Sequence, residues 1–134
     1  MSKKYFISGH GNLTWSEFNQ FYIPRIDNAI LEKARFIVSD FRGCDVMAME
    51  YLKDKTINVT VYHCFTEPRY FPDHIATYVV DWGIVAGFQT DKERDAQMTM
   101  DSTDDIAWIR PGKEKSGTAK NLIRRTNILN KLNL

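Results

Sequence analysis

A chain of 134 residues with 43% hydrophobic and 13% aromatic content is long enough to bury one core without staples, and this composition excludes a disordered segment. A net charge of +1 excludes a polyelectrolyte binder acting through its whole surface. Two cysteines, Cys44 and Cys64, with no CxxC, and three histidines (His10, His63, His74) without ligand spacing point to neither a disulfide framework nor a metal centre.

The charge is unevenly placed. Residues 1–63 sum to +1, residues 64–105 to −6 and residues 106–134 to +6. Such asymmetry fits either a basic rim or complementarity between subunits. The N-terminal residues run directly into an apolar strand pattern without a signal-peptide stretch, and no apolar run approaches membrane-spanning length. The expected setting is the cytoplasm, with no membrane partner.

Tyr5-Phe6-Ile7-Ser8 reads as a first strand, closed by Gly9-His10-Gly11-Asn12. That is how a Rossmann-like unit begins, although the third glycine of the dinucleotide fingerprint is missing. Thr14 with Glu17 forms a capping box, and Trp15, Phe18, Phe21 and Tyr22 give a helical face that Pro24 breaks and restarts. Ile26, Ala29, Ile30 and Lys33 continue the restarted helix.

The stretch that organises the rest is 36–52. Phe36-Ile37-Val38-Ser39 is too short for a helix and reads as a buried parallel strand. A polar turn with Asp40, Arg42, Gly43 and Asp45 follows, then a helix with Cys44, Met47, Ala48 and Tyr51 on one face. Strand, glycine turn and helix place binding groups at the carboxyl edge of an open sheet. Gly43 lets backbone approach a ligand, and free amides behind it suit an anion.

A third strand is expected over Asn58–His63. The stretch 64–90, broken by Pro68 and Pro72 and rich in Tyr70, Phe71, Tyr78, Trp82 and Phe88, reads as a loop followed by a short helix or hydrophobic flap. Its apolar area predicts a two-fold homodimer. A polar helix is expected over 91–103 and a strand over Asp105–Ile109. After Arg110–Thr118 a last helix runs from Ala119 to about Lys131, with Ser116 as N-cap and Ala119, Leu122, Thr126 and Leu129 as its packed face. The fold class is α/β: residues 1–134 form a single Rossmann-like domain with a mainly parallel open sheet flanked by helices.

Two strand–turn–helix junctions therefore share one sheet edge, Asp40–Asp45 and Gly112–Asn121. Asp40 or Asp45 can accept from ribose hydroxyls or a base amino group, while Arg42, Arg94 and Arg110 suit phosphate. The predicted ligand-binding set is Gly9, His10, Asp40, Arg42, Gly43, Asp45, Arg94, Gly112, Ser116, Gly117, Thr118 and Asn121, with a nucleotide-like small molecule as partner and no cofactor or metal.

The order Phe6-Ile-Ser-Gly9, Ser39-Asp40-Phe-Arg42-Gly43-Cys-Asp45-Val-Met-Ala48, Arg94-Asp95-Ala-Gln-Met98 and Ser116-Gly117-Thr118-Ala-Lys-Asn121 resembles the SLOG superfamily. These are Rossmann-like nucleotide-binding domains related to the lysine-decarboxylase-like phosphoribohydrolases and the DprA DNA-processing proteins. Within it, the pattern is similar to a small family of unknown function that pairs a Gly-x-Asp-x-x-Ala helix with Arg-Asn-x-x-Met and Ser-Gly-Thr. The resemblance spans most of the chain except 64–90 and implies nucleotide binding. The Arg-Asn pair is Arg94-Asp95 here, and the phosphoribohydrolase glutamate falls on Asn121, which favours a sensor or sequestering module over hydrolysis.

A second similarity, to nucleoside 2-deoxyribosyltransferases and related N-glycosidases, makes Asp40 and Glu50 the candidate catalytic pair. Asp45 and Glu50 lie five helical residues apart, a turn of about 140° and a rise of about 7.5 Å, which tends to take Glu50 out of the site. DNA binding through the basic C-terminal third is the least favoured reading, because overall charge is near zero.

Overall fold

The computed structural model describes residues 2–132. Five strands, β1 (Lys4–Ile7), β2 (Arg35–Ser39), β3 (Val59–Cys64), β4 (Gly83–Phe88) and β5 (Asp104–Ile106), form one sheet in the order β4-β3-β2-β1-β5. Every neighbouring pair is parallel. Helices α1 (Trp15–Phe21), α2 (Ile23–Leu31), α3 (Cys44–Leu52), α4 (Asp91–Asp101) and α5 (Gly117–Leu132) flank it. The single α/β Rossmann-like architecture expected from the sequence is what the chain adopts. No helix among the described residues is long and apolar enough to cross a membrane.

The period-2 geometry of the strands divides the core. Ile7, Phe36, Val38, Val59 and Val61 face α1, α2 and α3, where Phe18, Tyr22, Ile26, Ala48 and Met49 meet them. Phe6, Ile37 and Tyr62 face the other way, onto Met98 of α4. The chain advances from β1 to β4 in one direction, then crosses back over the sheet so that β5 lies on the far side of β1. That reversal opens a crevice at the carboxyl ends of β1 and its neighbours.

Local signals hold where chemistry is local. Thr14 Oγ1 accepts from the Glu17 amide at 3.1 Å while Glu17 Oε1 accepts from the Thr14 amide at 2.9 Å. Pro24 sits in the first turn of α2, where a missing N–H costs nothing.

Three expectations need correction. The stretch 64–90 does hold a loop followed by a short helix, the 3₁₀ turn Tyr78–Asp81, but it ends in an edge strand, β4, that is absent from the sequence reading. β4 begins at Gly83 and is broken by Gly87 at φ +98, and its exposed edge leaves no alternating pattern to read. Most of this stretch's aromatics pack within the chain: Trp82 is buried, Tyr70 and Phe71 lie against the main core, and Phe88 stacks on Tyr62. This lessens the apolar area that prompted the dimer expectation; Tyr78, Val80 and Ile84 stay exposed.

β5 ends at Ile106, not at Ile109. Trp108 leaves the sheet to stack on Phe21, ring centroids 4.1 Å apart. In α5 the expected face is rotated: Ala119 is buried, but Thr126 and Leu129 are exposed, and Thr118 and Asn121 point inward instead. Arg125 sets this phase. It donates to Asp105 at 3.0 Å and to the Ser102 carbonyl at 2.9 Å, so a polar anchor overrides the apolar pattern.

Candidate functional site

A cleft of about 250 Å³ opens at the carboxyl ends of β1 and β2, between the N-termini of α4 and α5. Eight of the twelve predicted binding residues line it: Gly9, His10, Asp45, Arg94, Ser116, Gly117, Thr118 and Asn121. Arg42 and Gly112 line an adjoining, more open hollow together with Lys113 and Lys115, and His10 and Ser116 belong to both. Asp40, Gly43 and Glu50 line neither. The residues that sequence reasoning missed are Ser8, Ser39, Asp91 and Asp95. Asp95 was in view only as a departure from an Arg-Asn pair.

The β1 turn is shaped by contact with protein before any ligand. A Cβ on Gly9 would lie 2.5 Å from both Cys44 Sγ and the Tyr22 hydroxyl. Tyr22 OH donates to the Ser8 carbonyl at 2.8 Å and accepts from the Trp108 amide at 3.0 Å, tying the ends of β1 and β5 together.

Gly43 also serves a different purpose from the one expected. It has φ +74, and a Cβ there would sit 2.5 Å from the carbonyl groups of His10 and Gly11. The Cys44 amide at the start of α3 donates to His10 O at 3.1 Å. The first amide of α3 therefore holds the β1 turn and is not open to an anion. Gly43→Ala combines a left-handed backbone with a backbone clash and is expected to cost about 2–4 kcal/mol in a melting experiment; a loss under about 1 kcal/mol would contradict this packing.

The start of α5 borders the cleft. Ser116 caps it, its Oγ accepting from the Ala119 amide at 3.2 Å. The Gly117 and Thr118 amides donate to no backbone acceptor among the described residues, and both residues line the cleft. The Ser8 hydroxyl, on a residue only 5% exposed, faces the same cavity and is the one buried side-chain polar atom among the described residues without a hydrogen-bond partner.

His10 is held neutral. Its Nε2 accepts from the Arg110 amide at 2.8 Å, which leaves the proton on Nδ1. Burial and the neighbouring Arg110 charge both lower its pKa. Arg110 itself is engaged elsewhere, donating to Glu17 at 2.6 Å and to Asn12 at 3.0 Å, so it is not a free phosphate ligand.

The acidic wall is arranged around Arg94, which is 3% exposed. Its guanidinium reaches Asp91 at 2.7 Å, Asp95 at 2.9 Å and Asp40 at 3.3 Å. Asp40 also accepts from the Arg69 amide at 2.6 Å and from the Arg69 guanidinium at 3.0 Å. Burial pushes the Asp40 pKa up, but the Arg69 and Arg94 contacts outweigh it and hold it below the ordinary value. Glu50 donates nothing to the cleft: its oxygens accept from Lys53 at 2.9 Å and from the Tyr70 hydroxyl at 2.6 Å. The structure does not bring Asp40 and Glu50 together as a pair.

Asp45 behaves in the opposite way. Desolvation raises its pKa to about 7, against the opposing pull of the Ser39 hydroxyl, the Arg94 charge and the Phe41 amide, and the charge of Asp95 adds to the rise. Its Oδ2 accepts from Ser39 Oγ and, at 3.1 Å, from the Phe41 amide. A buried carboxyl poised near neutrality in a cleft is the chemical feature that stands out here.

Comparison with family models, with curated proteins and with solved structures returned no match to this chain.

Proposed function

We propose that this protein binds a nucleotide or nucleotide-derived small molecule at the carboxyl edge of its sheet, as a sensor or sequestering module. The observation that carries this reading is the open start of α5 over the crevice beside β1, where two amides and the unpartnered Ser8 hydroxyl face one cavity. A helix N-terminus with free amides favours an anionic group such as a phosphate. Arg42, Lys113 and Lys115 on the adjoining hollow extend that preference outward. The cleft volume of about 250 Å³ falls below the ~300–1,000 Å³ of drug-sized sites, which suits a mononucleotide rather than a dinucleotide.

Mononucleotides are expected to raise the melting temperature. Gly117→Pro removes one free amide, places proline where a helix start accepts it, and meets no atom within 4 Å at its Cβ. It should weaken binding about tenfold or more without lowering the melting point of the unliganded protein. Absence of a shift with every nucleotide and sugar phosphate tried would count against the reading.

A second reading, N-glycosidic bond cleavage or transfer, is favoured by one feature, the Asp45 carboxyl in the cleft with its pKa near 7. Such a group suits proton donation to a departing base. Asp45 is thus the candidate general acid in this reading, in place of the Asp40–Glu50 catalytic pair. Free base released from a nucleoside monophosphate, seen by chromatography and lost in Asp45→Asn, is the result that would make this reading the leading one.

A further inference from the structure

The cleft is lined by two chemically different sets of groups. The donors are the Gly117 and Thr118 amides at the start of α5 and the Ser8 hydroxyl at the end of β1. The acceptors are the carboxyls of Asp45, in the first turn of α3, and Asp95, on α4. Each of these carboxylates uses only one oxygen within the protein. Asp45 engages Oδ2 with Ser39 and Phe41, and Asp95 engages Oδ1 with Arg94 Nε at 3.1 Å and Nη2 at 2.9 Å. Asp45 Oδ1 and Asp95 Oδ2 accept no hydrogen bond from the described side chains or backbone.

The cations nearby do not complete this acceptor set. Arg94 is shared among Asp40, Asp91 and Asp95, Arg69 is bound to Asp40 and Asp91, and Arg42, Lys113 and Lys115 lie in the outer hollow. Lys120 and Arg124 line a further hollow beside Asp95, where Arg124 donates to Asn121 and neither forms an ion pair with Asp95. Among the described residues, no three His, Cys, Asp or Glu side chains are grouped to hold a metal ion. The two acceptors therefore call for neutral donors. A phosphate is repelled from the acceptors and drawn to the donors.

We propose that the cleft reads the vicinal diol of a ribose, Asp45 and Asp95 accepting one hydroxyl each while the 5′-phosphate lies toward Gly117 and Thr118. This rests on the nucleotide-binding reading and adds the class of sugar. Asp45 and Asp95 line the same cavity, and the charge of Asp95 adds to the rise in the Asp45 pKa. The buried, unpartnered Ser8 hydroxyl in the same cavity is a second polar group waiting for a ligand atom. Removing one hydroxyl leaves a desolvated carboxylate oxygen unpaired, and sites built around a substrate hydroxyl reject analogues lacking it.

The test is calorimetric titration of the full chain at pH 8 with the four ribonucleoside 5′-monophosphates and their 2′-deoxy counterparts. The ribo form of any nucleotide that binds should bind at least about tenfold tighter than the deoxy form. Asp95→Asn, with one acceptor altered, should reduce that ratio to within about threefold. Equal binding of ribo and deoxy forms to the unmodified protein would overturn the diol assignment and leave nucleotide binding standing. Binding of neither form, for all four bases, would overturn both. The ratio in the unmodified protein decides the matter even where the variant folds poorly.

Discussion

Replacing Arg94 with methionine is expected to destabilise the protein by about 3–5 kcal/mol, because it leaves buried carboxylates without their counter-charge. Asp40 has no exposed side-chain surface and Asp95 little; Arg94 joins them to Asp91 from the first turns of α4. In a domain of this size the loss corresponds to roughly 10–20 °C in melting temperature. Arg69 still holds Asp40, so the protein should fold at low temperature. The double variant Asp40→Asn/Arg94→Met should lose less than the sum of its parts, since the second change removes the charge that the first left unpaired. A fall below about 3 °C for Arg94→Met alone would show that water reaches these groups and that the network carries little stability.

Asp45→Asn should have the opposite sign and a pH signature of its own. The Asp45 pKa rises from 3.8 in the ordinary state to about 7 in the fold. The folded protein thus holds a proton that the unfolded chain releases. Stability from this group is full below about pH 4, falls as pH rises toward 7, and is lost above it. At about 1.4 kcal/mol per tenfold change in proton affinity, ionising Asp45 costs the fold on the order of 4 kcal/mol at pH 8. Asparagine keeps an acceptor for Ser39 and Phe41 without the charge. Its melting temperature should exceed that of the unmodified protein by about 10–15 °C at pH 8 and match it within about 2 °C at pH 4. An equal effect at both values would mean that Asp45 is not the titrating group. Asp40 runs the other way: its pKa is lowered, so its contribution is present above the usual carboxylate range and fades on acidification below it.

Much of the fold was legible because its signals are local. The runs Tyr5–Ser8, Phe36–Ser39 and Asn58–His63, each followed by a break, marked three central strands. Thr14, Pro24 and Ser116 marked helix starts through chemistry confined to one turn. β4 was not legible: Gly83 and Gly87 lie within it, and with no residue of the strand fully buried it carries no apolar alternation. The phase of α5 was misread because Arg125 is drawn inward by Asp105, a partner set by the sheet and invisible in helical spacing.

The site divided along the same line. The residues 116–118 and 121 were found from the glycine turn, and Asp45 from its place after Gly43. The roles of Asp40 and Asp45 are assigned by partners far away in sequence. Arg69 and Arg94 hold Asp40 charged, while the closed back of α3 desolvates Asp45. Asp95 lacked any local mark, since its free oxygen faces the cleft only once α4 has docked over Phe6 and Ile37.

The return crossing that places β5 beside β1 has a kinetic consequence. Ser8 and Thr118 line the same cavity from positions more than a hundred residues apart in the chain, so the cavity forms only after the last strand has docked. Such long-range pairing pays its loop-closure entropy before any contact rewards it and is slow to form. A chain that has assembled β1 to β4 but not β5 lacks this cavity. Under the proposed binding function, a ligand acts by mass action on the completed fold alone, drawing the final docking step forward and guarding the β1–β5 seam, joined through the Tyr22 hydroxyl, against reopening.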